Sequence, residues 1–245
     1  MAAKALETVL VVGATGNIGV AAIQGALRSG RNVLAIVRNQ ASAKKLDEHV
    51  PDGHDRITTV EADIMSDKGV QGVVDQVRAG SLPAFQHVYT AAGNSYTDIS
   101  VLKTTTEELK SVMHGNFEAN FYAYRATIPY LLEKKTTPTS YTMCTGAQGE
   151  FGIRALPAIS QGALFSMATA GMNELKGSNV RMNEHYLALR VEVDSSAEKT
   201  GAVKASKFAN SYRQLLDRPD ISDCRVSIET EKDIDELRYR KKVAA

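Results

Sequence analysis

Three glycines stand at a spacing that can hold a phosphate. Residues 13–19 read Gly13-Ala14-Thr15-Gly16-Asn17-Ile18-Gly19, after the apolar run Thr8–Val12 and before an amphipathic stretch from Asn17 to Ser29. Glycine lets a chain turn tightly and lets its backbone approach a pyrophosphate, and the N–H groups and dipole at the start of the next helix favour the phosphate charge. Between a strand and a helix, G-x-x-G-x-x-G predicts a dinucleotide site. Gly13, Thr15, Gly16, Asn17, Ile18 and Gly19 are its candidate contacts, with Gly19 allowing the helix to lie close to the strand. The second apolar run, Asn32–Val37, leads into Arg38-Asn39. An NAD site usually carries an acid there for the adenosine ribose. This chain has Arg38 and no acid before Asp47. A guanidinium grips a 2′-phosphate in forked geometry, so the sequence predicts NADP(H) over NAD(H).

The elements that must position these residues alternate along the chain. Apolar runs at Thr8–Val12, Asn32–Val37, Arg56–Glu61, His87–Ala91, Thr139–Cys144, within Val180–Val193, and at Cys224–Glu229 read as strands. Stretches at Asn17–Ser29, Ala41–His49, Asp67–Ala79, Thr106–Lys134, Pro157–Lys176 and Gly201–Leu216 read as helices. Continuous apolar strands alternating with helices argue for a parallel sheet covered on both faces. The 245 residues fit one domain over 1–245, with 231–245 as a charged tail or short surface helix. At 43% apolar residues the chain is not disordered. Its 29 Lys and Arg against 28 Asp and Glu give no electrostatic case for nucleic acid or an anionic membrane. Two cysteines, Cys144 and Cys224, exclude a disulfide framework. No signal peptide or membrane-length apolar run is present, so the cytoplasm is the expectation.

These residues carry a family resemblance from Thr8 to about Glu229: the chain resembles a short-chain dehydrogenase/reductase. Beside the glycine motif, Asp63 in Glu61-Ala62-Asp63-Ile64 resembles the acid after the third strand that contacts the adenine, with Ile64 next to it. Thr90-Ala91-Ala92-Gly93 resembles the family's Asn-Asn-Ala-Gly segment, which puts Ala91, Ala92 and Gly93 along the cofactor. The stretch from Glu107 through Asn116 to Pro129 resembles the long fourth helix, with the family's structural and catalytic Asn at Asn116, and Gly162 to Leu175 resembles the helix after the active tyrosine. The resemblance implies a Rossmann-type, doubly wound, mostly parallel seven-stranded sheet with helices on both faces. It also implies a homodimer or homotetramer built through the long helices.

The family's proton relay does not map. Its reductases use Tyr-x-x-x-Lys with an upstream Ser; the lysine lowers a phenol pKa that is ordinarily near 10. Alignment on Glu174-Leu175 puts Pro157 at the tyrosine position and Gln161 at the lysine position, and no Tyr or Lys occurs between Tyr141 and Lys176. The literal Tyr130-Leu-Leu-Glu-Lys134 falls in the preceding helix and is coincidental. The Ser position falls on Thr145, beside Cys144, and the Pro-Gly that usually follows the sixth strand is absent. Glu150 and Arg154 are the charged groups of the rim segment 145–154: Glu150 as an acid or base if burial raises its pKa, Arg154 to orient a carboxylate or enolate. Gly146, Gly149 and Gly152 suggest a mobile loop there. Tyr96 is a candidate replacement phenol, while His114 reads as a helix-surface histidine and Cys144 as a buried thiol. Phe117, Phe121, Tyr122 and Tyr124 read as core or dimer interface.

Three functions fit this pattern. The first is an NADPH-dependent reductase of an imine, carbonyl or activated alkene with a rearranged relay, similar to divergent family members of natural-product pathways. The second is a non-redox cyclase or isomerase acting by positioning and polar stabilisation. The third is a catalytically inactive NADP-binding sensor or regulator.

Overall fold

The computed structural model describes residues 6–93 and 98–244. The first four strands are β1 (Thr8–Val12), β2 (Asn32–Val37), β3 (Ile57–Glu61) and β4 (His87–Thr90). They are followed by β5 (Thr139–Gly146), β6 (Val180–Leu187), β9 (Cys224–Ile228) and β10 (Arg238–Lys241), which complete one eight-stranded sheet. Its order is β10-β9-β6-β5-β4-β1-β2-β3, and every pairing is parallel except β10 on β9. Seven parallel strands answer the expected count, and β10 is an eighth that the charged C-terminal run concealed. That run forms the short helix α10 (Lys232–Asp235) and then β10, all four of whose residues are exposed.

The strands are apolar on both sides because helices cover both faces. On one face α1 (Asn17–Arg28), α2 (Gln40–His49) and α9 (Ala205–Asp217) bury Val20, Ile23, Leu46, Phe208 and Tyr212 against Val9, Val11 and Val226. Gly25 lets α1 and α9 meet, since a Cβ there would lie 2.7 Å from the Ala209 carbonyl oxygen. On the other face α3 (Gly69–Arg78), α5 (Ala119–Glu133) and α7 (Ala155–Glu174) bury Val73, Val74, Leu131, Leu164 and Met172 against Leu10, Val88 and Met182.

Two expectations change. The single helix over 106–134 is two, α4 (Thr106–Met113) and α5, joined by a π-helical turn at His114–Glu118. A capping box of Thr105 and Glu108 starts α4. The stretch Val180–Val193 ends its strand at Leu187, and β7 (Val191–Glu192) then pairs with β8 (Val203–Lys204) as a separate ribbon around α8 (Asp194–Thr200).

Buried histidines make the fold acid-sensitive. His185 on β6 is fully buried, bonded to the Tyr89 hydroxyl at 2.9 Å and the Ser211 hydroxyl at 3.2 Å, and burial pushes its pKa down to about 3. His87 is lowered by burial as well, and its hydrogen bond to Glu7 holds that carboxyl down at about 2. Each folded value lies below its unfolded one, so each contribution is complete above the ordinary value and fades as pH falls through the folded one. We expect Tm to fall as the pH drops from the ordinary histidine value of 6.5 towards 3, and His185→Gln to flatten part of that slope in calorimetric scans.

Candidate active site

The strand ends of β1 to β4 form one continuous cradle. Gly13 has φ +84, and a Cβ on it would sit 2.7 Å from the Ala91 oxygen, so the turn after β1 is pressed against the segment after β4. A Cβ on Gly19 would lie 2.1 Å from the Gly13 oxygen, which only a glycine avoids. Gly16 is the N-cap of α1 and supplies no side-chain cap, so the first N–H groups of the helix, from Asn17 and Ile18 onward, are left for an anion. Thr15 lies within this turn, half-buried. The Asn17 side chain is engaged elsewhere: its Oδ1 accepts from the Val193 N–H at 3.0 Å and ties down the chain after β7.

Arg38 follows β2, exposed and with no ion pair among the described residues. Asp63 and Ile64 follow β3, and Asp63 accepts from the Met65 N–H at 2.9 Å. A Cβ on Gly69 would lie 1.8 Å from the Asp63 oxygen, so that turn too depends on glycine. Ala91, Ala92 and Gly93 follow β4, and Asn120 anchors them by donating to the Ala92 oxygen at 2.9 Å and the Asn116 oxygen at 2.7 Å. This cradle fits a dinucleotide: tight turns, close backbone approach, uncapped helix N–H groups and a cation beyond the second strand.

The catalytic side of the cleft differs from expectation. Asn116 lies on the π turn, buried, and donates to the Ser160 hydroxyl at 3.0 Å, which in turn donates to the Pro157 oxygen at 3.2 Å. Gln161 accepts from the Gly146 N–H at 2.6 Å through Oε1. That contact fixes the amide orientation, and its NH2 has no protein partner among the described residues. Tyr96 lies outside the described residues.

Glu150 does not meet the condition set for a general acid, a pKa raised by burial. Its carboxylate pairs with Arg225 and accepts from the Tyr186 hydroxyl at 3.0 Å. Burial alone would raise its pKa, yet these contacts hold it below the ordinary range. Tyr186 is no better, since burial and Glu150 push its phenol up to about 12. Arg154 is exposed at the N-cap of α7 and does not pair with Glu150. The rim 148–151 is a one-turn helix, α6 (Gln148–Phe151), with Gly149 packed under the Phe165 ring. His114 pairs with Glu118 at 2.8 Å on the helix surface. Burial raises the Cys144 thiol to about 12, in keeping with a buried strand-end thiol.

Sequence reasoning missed the partner of Thr145. The Thr145 hydroxyl donates to Oε1 of Glu184 at 2.8 Å, and the Glu184 side chain is 0% exposed. Arg225 grips Glu184 in a fork, Nη2 to Oε1 at 3.0 Å and Nε to Oε2 at 3.1 Å, and Lys242 reaches Oε2 at 2.6 Å. The Arg225 guanidinium lies against the rings of both Phe165 and Tyr186, which also touch each other. On its outer side lies a pocket of about 360 Å³ that Glu229, Arg238 and Arg240 also line. The sequence signal was present: Val180, Met182, Glu184 and Tyr186 share one face of β6 at period two, and only Glu184 is an acid among them.

A doubly wound sheet with a glycine-turn phosphate cradle at its strand ends defines a Rossmann-type dinucleotide-binding protein. The chain belongs to the short-chain dehydrogenase family, whose model matches residues 7–198. It is 52% identical over 241 residues to the short-chain dehydrogenase/reductase iacG of Pestalotiopsis fici, covering 96% of each chain. The fold is shared with a Streptomyces avermitilis short-chain dehydrogenase at TM-score 0.75 and 17% identity, covering 95% of this chain and 91% of that one. It is also shared with a Shigella flexneri short-chain dehydrogenase complexed with NADP, at TM-score 0.73 and 20% identity, covering 88% and 94%. Members of the family are oxidoreductases that bind nicotinamide cofactors. No helix among the described residues is long and apolar enough to cross a membrane.

Proposed function

We propose that the protein is an NADPH-dependent reductase that works without a tyrosine–lysine relay, on an imine, carbonyl or activated alkene. What supports this reading is the contrast between a cradle that fits a dinucleotide, with Arg38 exposed and without an ion pair among the described residues, and a catalytic side where alignment on the family pattern puts Pro157 and Gln161 at the relay positions. When bound, the dinucleotide supplies a hydride. The N–H groups of the first α1 turn would hold its diphosphate, and Arg38 would hold the 2′-phosphate. Asn120 fixes the wall after β4 at Ala92 and Asn116 ties the π turn to Ser160 on α7, and these two would border the ring end of the dinucleotide. Thr145 contacts the reacting group, and the Gln161 NH2 serves an acceptor oxygen of the bound molecules without supplying a proton. Glu150 braces Arg225 rather than moving protons. The test is calorimetric titration with NADPH and NADH, followed by NADPH oxidation over imine, enone and ketone panels. Micromolar NADPH binding and turnover of one panel support the reading; binding of neither nucleotide overturns it.

The two free cysteines suit the cytoplasm as the compartment. We also propose a second copy of this chain as the partner of the outer helix face, where α5 exposes Phe121 and Leu132 and α7 exposes Ile159. Light scattering should give a dimer or tetramer for the native chain and a monomer for Phe121→Glu.

A further inference from the structure

We infer that Glu184 turns Thr145 into a hydrogen-bond acceptor, so that the site selects a substrate whose reacting group carries an N–H, a protonated imine above all. The inference rests on the proposed reductase reading. Glu184 takes four donors, from Thr145, from Arg225 twice and from Lys242, and these use the lone-pair sites of both its oxygens. A carboxylate so engaged has no proton to return to Thr145. The Thr145 proton is therefore committed to β6, and what the hydroxyl offers a ligand is oxygen lone pairs.

A neutral ketone needs the opposite, a donor at its oxygen and then a proton for the alkoxide, and neither Thr145 nor Gln161 supplies that proton. A protonated imine needs neither. Its N–H donates to Thr145 Oγ1, its carbon gains the hydride, the C=N π pair becomes the lone pair of the amine nitrogen, and the dinucleotide leaves as NADP+. No proton is drawn from the protein, which accounts for the absence of a phenol and a lysine from their usual places. Glu184 is the positioning residue here, and Lys242 and Arg225 keep it in the acceptor state.

The test uses the full chain saturated with NADP+, titrated calorimetrically with tetrahydroisoquinolinium, which carries N–H donors, and with isochroman, its ether isostere. The native protein should bind the amine about tenfold more tightly, the worth of one hydrogen bond involving a charged group. Thr145→Ser should keep that preference. Thr145→Val, which leaves every ion of the cluster in place, should abolish it, and Glu184→Gln should shift it towards isochroman by letting the hydroxyl turn. In parallel, 3,4-dihydroisoquinoline should be reduced by NADPH and 1-tetralone should not. Equal affinities, no amine binding, or a preference that survives Thr145→Val overturns the inference. Failure of NADP+ itself to bind is a separate result and overturns the reductase reading instead.

Discussion

Arg38→Ala should weaken NADPH binding roughly 10- to 150-fold and leave NADH binding unchanged. The 2′-phosphate is the difference between the two nucleotides, and a hydrogen-bonded ion contact of this kind contributes about 1.5–3 kcal/mol. Arg38 has no ion pair among the described residues, so its removal orphans no acid and costs the fold little. Calorimetry with both nucleotides reads the effect directly. Equal loss for NADPH and NADH would show that Arg38 does not discriminate the phosphate.

Arg225→Leu should be the most damaging single change to stability outside the apolar core. It strips the fork from Glu184, a carboxylate that is 0% exposed, and leaves it with Lys242 as its sole cation. Breaking a buried pair by removing one partner costs about 3–5 kcal/mol where the remaining charge is left uncompensated, and the single contact from Lys242 replaces only part of what the fork supplied. For a chain of this size that is a fall in Tm on the order of 10 °C. Lys204→Ala, which breaks the exposed pair with Glu198, should barely move Tm. Matched melting scans of the two variants separate buried from solvated pairing, and similar shifts would refute the argument.

The contrast between these two arginines shows what was legible beforehand. Arg38, the glycine turn and the strand–helix alternation are local: each depends on residues within a few positions of one another, and periodicity exposes them. The acceptor state of Thr145 is not local. It depends on Glu184 thirty-nine residues away, on Arg225 forty-one residues beyond that, and on Lys242, which β10 carries back across the sheet. Thr145 was recognisable by its place in the family pattern, but the direction in which its hydroxyl points was not. Glu150 misled for a related reason. In the sequence its charged neighbour is Arg154, whereas the fold hands it Arg225 from another strand. The π turn at His114–Glu118 escaped because it interrupts an otherwise continuous helical stretch without a proline or a glycine pair.

β10 has a consequence for how the chain behaves when crowded. A sheet that ended at β9 would present the unpaired backbone of an apolar strand, a template on which another chain can add. β10 covers that row and ends the sheet with Arg238, Tyr239, Arg240 and Lys241, all exposed. Two such borders brought together would have to desolvate Arg240 and the pairs that Arg238 makes with Glu229 and Asp233 and Lys241 makes with Asp223, a cost that opposes new strand pairing. The same short strand that delivers Lys242 to Glu184 therefore acts as a gatekeeper against fibrillar stacking. Loss of the last eight residues should cost solubility at high concentration as well as Tm.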